Sequence, residues 1–124
     1  MKENDIAKTK QYYDELTDGD LCSCAYCRNY MKQVKDAYPS LSDALKKMGI
    51  DIEKPFETWP LEPNENGEII YLAVQYVVYG NKKEFRPFSV EDVKIDIAES
   101  HPMTGILEDH YVIELSELKL KWDL

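Results

Sequence analysis

Apolar residues recur along the first third of the chain at intervals of three and four, and the rhythm shortens to two after residue 67. In the first part Ile6, Tyr13 and Leu16 fall on one helical face, and Asn4 or Asp5 is placed to cap that helix, with Gly19 to end it. A polar, turn-like stretch from Asp18 to Ser23 follows. A second helix is predicted from about Cys24 to Tyr38, because Cys24, Cys27, Met31, Val34 and Tyr38 make one stripe and Pro39 disfavours helical angles at the residue before it. Ser40 or Ser42 can cap a short third helix, Asp43 to Met48, with Gly49 at the left-handed position beyond its end.

Between residues 50 and 67 Pro55, Pro60 and Pro63 predict an extended connecting arm. Its Phe56, Trp59 and Leu61 are too apolar to hang free, so the arm is expected to pack across the sheet or a helix. Ile69 to Tyr79 is rich in β-branched and aromatic residues and apolar at almost every position, which predicts a central strand covered on both faces. Gly80-Asn81-Lys82-Lys83 marks a turn, and Val93, Ile95 and Ile97 alternate with polar residues as a strand buried on one face does. In the last segment Ile113 and Leu115 are inward at odd positions, whereas Leu118, Leu120 and Trp122 are apolar at even ones. That parity change requires a bulge or bend near Ser116-Glu117. The expectation is an α+β fold in a single domain over residues 1–124. Its helical part spans about 5–49, its arm 50–67 and its β part 68–124, with two or three helices packed on a three- or four-stranded antiparallel sheet.

A chain of 124 residues with 44% hydrophobic residues can build a core without a disulfide or metal staple. No charged segment followed by a long apolar run opens it, and no run reaches the ~20 apolar residues of a membrane helix, so a cytoplasmic protein with no membrane role is expected. The formal charge of −9 is dispersed along the chain. Such a surface repels a phosphate backbone, which argues against nucleic-acid binding and leaves a basic protein as the partner it would suit. Oligomeric state leaves no trace in the pattern.

The one chemically loaded stretch is Cys22-Ser23-Cys24-Ala25-Tyr26-Cys27, which holds all three cysteines. Cys24 and Cys27, three apart on a helix, share a face, and Cys22 approaches from outside it. Three thiolates and a histidine form a common tetrahedral zinc set, so His101 or His110 can supply the fourth ligand of a structural zinc. Against this, no second paired half such as H-x3-H is present, and buried cysteines serve widely as small core residues. A redox reading of Cys24-Ala25-Tyr26-Cys27 lacks the strand that precedes thioredoxin-like motifs. Glu99-Ser100-His101 and Glu108-Asp109-His110 read as polar loop residues before they read as a catalytic set. No P-loop, dinucleotide fingerprint, nucleophile elbow or H-E-x-x-H motif occurs, so no catalytic residue is assigned.

At Cys22 to Tyr30, Gly49 to Glu57, Trp59 to Pro63, Gln75 to Gly80, Ser100 to Pro102 and Leu118 to Trp122, the sequence resembles a group of small, uncharacterised bacterial cytoplasmic proteins with a C-x-C-x-x-C-x-N-Y segment. The resemblance runs from about Tyr12 onward. It implies a single-domain bacterial protein and carries no activity and no functional residues with it. Two function classes follow from the residues. The first is an acidic interaction module, such as an inhibitor or immunity-type partner of a basic protein. The second is a zinc or thiol protein using Cys22, Cys24 and Cys27.

Overall fold

The computed structural model describes residues 1–124. Three helices, α1 (Glu3–Glu15), α2 (Ala25–Ala37) and α3 (Pro39–Lys46), precede five strands: β1 (Glu57–Pro60), β2 (Glu68–Tyr79), β3 (Phe88–Val90), β4 (Val93–Ile97) and β5 (His110–Lys121). All neighbouring strands are antiparallel, in the order β1-β2-β5-β4-β3. The α+β class is as expected, but the sheet has five strands rather than three or four. The arm adds an edge strand at Glu57–Pro60, which tolerates Pro60 because an edge proline breaks no ladder. Phe88–Val90 adds the other edge, joined to β4 through Glu91 and Asp92, both at positive φ.

The helices cover one face of the sheet, and a 19-residue core lies between them, including Tyr30, Val34, Leu41, Leu45, Tyr76 and Ile113. The parity change in the last strand is present: Ile113, Leu115, Leu118 and Leu120 are all buried, while Ser116 and Glu117 are exposed. No register shift between β2 and β5 accompanies it, because β2 changes parity at the same level, from Tyr71 inward to Val74 inward. The irregularity appears instead against the edge strand, where pairing slips between Trp59 and Pro60.

β1 stops short of the far end of β2, and α1 completes that edge with side chains. The Tyr13 hydroxyl donates to the Val77 carbonyl at 2.7 Å, and the Tyr79 amide donates to Thr9 Oγ1 at 3.0 Å. These two bonds occupy backbone groups that a longer β1 would have taken. Gly49, at φ 88°, lies directly under α1: a Cβ there would stand 2.5 Å from the Ile6 carbonyl oxygen. Only glycine permits that approach.

Several helix ends differ from the expectation. α1 begins after Lys2, without a capping side chain from Asn4 or Asp5, and ends at Glu15 rather than at Gly19, because Leu16 is already extended. Gly19 lies in a 3-10 turn, Asp18–Asp20, closed by a Thr17/Asp20 capping box. α3 begins at Pro39 rather than Asp43, since proline suits the first helical position, where an amide would be unpaired anyway. Neither Ser40 nor Ser42 caps it. The Glu91 carboxylate reaches across from the β3–β4 turn and accepts from the Leu41 amide at 2.7 Å. On the opposite face of the sheet a smaller cluster of Val77, Ala98 and Val112 is covered by Phe56 and Ile106. No helix is long and apolar enough to cross a membrane.

Candidate metal centre

The site begins where the chain turns from the 3-10 turn into α2. Cys24 is the residue just before the first helical position, Cys27 lies in the first turn, and Cys22 precedes both. A helix can bring two of these thiols to one side. The third joins because Ser23 is not helical, and Arg28 Nε holds the Ser23 carbonyl at 3.1 Å. The three sulfurs all lie within 4.8 Å of one another, and Cys22 Sγ and Cys24 Sγ are 3.2 Å apart. None is in a disulfide. Thiolates bound to one tetrahedral zinc at ~2.3 Å stand roughly 3.8 Å from each other, a spacing that lies inside the 4.8 Å within which all three sulfurs fall.

The three thiols differ in environment. Cys22 and Cys24 are exposed, against the expectation that Cys24 would lie on the buried stripe of α2: as the capping residue it is extended and turns outward. Cys27 is buried, with Thr58 Oγ1 of β1 at 3.5 Å. Burial pushes the Cys27 thiol up to about 12, an effect only partly relieved by Thr58. For Cys24 partial burial also acts upward, but the amides of Cys27 and Tyr26 and the neighbouring thiols outweigh it, leaving the thiol below its ordinary 9.0.

The groups beneath the thiols fix α2 on the sheet. Asn29, fully buried, donates to the Tyr71 hydroxyl and to the Lys121 carbonyl at 2.9 Å, and accepts from Gln33 at 2.7 Å and the Asp123 amide at 2.9 Å. The Tyr71 hydroxyl donates to the Tyr26 carbonyl at 2.6 Å, inside the first turn that carries Cys27. One turn deeper, the Tyr30 and Tyr76 hydroxyls meet at 2.6 Å, and Tyr76 donates onward to the Ile52 carbonyl. Asn29, read in the sequence only as part of a motif, and Tyr30 are therefore the residues that hold the thiol-bearing turn in place. Thr58, the partner of Cys27, gave no signal in the sequence.

The structure does not bring the histidines to the sulfurs. Neither belongs to the metal-capable cluster, which consists of the three cysteines. His110 has both ring nitrogens engaged, with Thr104 Oγ1 at 2.7 Å and the Glu108 carbonyl at 2.8 Å. His101 bonds the neighbouring Pro102 carbonyl at 2.7 Å and stands edge-on to Phe56. Both organise the loop over the opposite face of the sheet. The cluster that could hold an ion therefore consists of three thiols and no histidine. Comparison with known proteins finds no family model that matches the chain, and no curated protein or solved structure that matches it significantly.

Proposed function

We propose that the protein is a thiolate metal protein in which Cys22, Cys24 and Cys27 hold a soft divalent ion, zinc first among them, with the fourth position open to water or to a donor from a partner. The observation that carries this reading is the convergence of all three sulfurs within 4.8 Å without a disulfide. Sulfur donors select thiophilic ions, and a zinc with a position free of protein ligands keeps that position for exchange. The core does not depend on the ion, so its role is local: it ties the Cys22–Cys24 lead-in to the first turn of α2.

Protein purified without chelator under reducing conditions should contain close to one zinc per chain, and cobalt exchanged into the site should show sulfur-to-metal charge-transfer absorption. C27A should lose both signals. Less than about a tenth of an equivalent of bound zinc, with no thiolate band for cobalt, would end this reading.

One observation favours a second reading, an acidic docking module. Met103 and Leu107 are 93% and 101% exposed on the loop that also carries Glu99, Glu108 and Asp109. Fully solvated apolar side chains on a loop tied down by His110 are the form a binding hot spot takes, and the acidic flank suits a basic protein. A pull-down at low salt in which L107S and wild-type protein recover the same partners, or none, would eliminate it.

A further inference from the structure

A second concave feature lies far from the thiols in the fold, between the N-terminal turn of α1 and the β2–β3 connection. It is a cavity of about 190 Å³, lined by Asp5, Tyr79, Glu84, Phe85, Phe88 and Tyr111 among others. The Phe85 ring stands 5.9 Å from Tyr111 and 6.1 Å from Phe88, so three aromatic rings meet at one corner. Two carboxylates share the cavity with them. Asp5 enters no ion pair, and Glu84 has only Lys2 at 3.7 Å, an exposed contact. Gly80, at φ 125°, makes room for the Asp5 carboxylate: a Cβ there would lie 2.8 Å from Asp5 Oδ2.

The one cationic side chain in the lining is Arg86, and its Nη1 is spent on the Lys83 and Phe85 carbonyls at 2.8 and 3.0 Å. Burial, with Asp5 and Glu84 adding their negative field, raises the Tyr111 hydroxyl to about 12. Aromatic faces and carboxylates both attract positive charge. The volume suits a compact group rather than a drug-sized molecule.

We propose that this cavity is a binding site for a quaternary alkylammonium group, with Phe85, Phe88 and Tyr111 as the aromatic wall and Asp5 and Glu84 as the counter-charges. It is independent of the thiol site. The shared ligand chemistry, a trimethylammonium head, has two sources: a free small molecule or a trimethylated lysine on a peptide.

The test is a solution NMR titration of the whole protein with choline, with a short trimethyl-lysine peptide, and with 3,3-dimethylbutan-1-ol, which has the shape of choline without the charge. Choline or the peptide should give saturable shifts at Phe85, Phe88 and Tyr111, with a dissociation constant on the order of 1 mM or tighter. The tighter of the two identifies the source. The neutral alcohol should bind at least about tenfold more weakly, as should choline to the D5N/E84Q double variant, whose amides keep the shape of the carboxylates without their charge. Absence of saturable shifts with both cations, or equal binding of the neutral alcohol to the wild-type protein, overturns the proposal.

Discussion

The two ends of the polar layer beneath and beside α2 are built on opposite terms. In the middle of the helix, Asn29 and Tyr30 are fully buried and every side-chain polar atom they carry has a partner: Tyr71 and Tyr76 on β2, Lys121 at the end of β5, Asp123 just beyond it, or Gln33 one turn along α2. At its N-terminal end, three thiols converge, two of them open to solvent, with Thr58, each other and the amides of the first turn as their partners. A satisfied buried network gives one arrangement and resists change, whereas the thiol cluster is held by weak sulfur contacts that the proposed ion would replace. The difference separates what folds the protein from what it can bind.

If the division is real, the largest effect belongs to the middle of the helix. Replacing Asn29 by leucine keeps the volume but strands the Asp123 amide and removes the tie to the end of β5. Denaturant unfolding should show a loss of about 2–3 kcal/mol. Zinc content in the same variant should survive at temperatures where it is folded, because none of the thiols has been touched. A loss of less than about 0.5 kcal/mol would mean the Asn29 network is not what holds α2 down.

A second, more graded effect follows from the buried tyrosines. Burial holds the Tyr13, Tyr30 and Tyr76 hydroxyls above the ordinary 10.0 of an unfolded tyrosine. Below about pH 10 these groups are neutral whether the chain is folded or not, and their contribution to stability is complete. As pH rises beyond that, only the unfolded chain ionises freely, so stability should fall by up to ~1.4 kcal/mol per pH unit for each such tyrosine. Alkaline unfolding should therefore coincide with the tyrosinate absorbance change, and Y30F should make the fall shallower. Absorbance of all nine tyrosines that is complete before unfolding would show that these hydroxyls are not locked.

The sequence made this division legible only in part. The change of apolar rhythm after residue 67 separated helices from strands, and the parity change at Ser116-Glu117 was readable because a strand's side chains alternate strictly. What stayed hidden was long-range. Glu57–Pro60 becomes a strand only because β2 offers it an edge, and Pro60 argued against it locally. Likewise the cap of α3 comes from Glu91, fifty positions away in the chain, and no helix-start signal near Ser40 or Ser42 could reveal it. For the site, spacing along one helix brought Cys24 and Cys27 together, while the proposed histidine ligands depended on the path of a loop that the structure sends to the other face. Nearness in sequence was a good guide within one turn of helix and no guide across the sheet.

The smallest expected effect is the one that tests the thiol end most directly. Cys22 is exposed and its sulfur bonds only to neighbouring thiols, so C22S should change metal-free stability by less than about 0.5 kcal/mol. Cys27 is 5% exposed, and a hydroxyl in its place keeps Thr58 Oγ1 as a partner, so C27S should cost about 1 kcal/mol through lost packing. In the presence of zinc both should fall further behind the wild-type chain by the same amount, since each removes one thiolate of three and the stabilisation conferred by the ion goes with it. The measurement is a pair of denaturant curves per variant, with chelator and with zinc. If added zinc stabilises C22S as much as it does the wild-type chain, Cys22 is a bystander, and the metal reading shrinks to a two-thiol site on the first turn of α2.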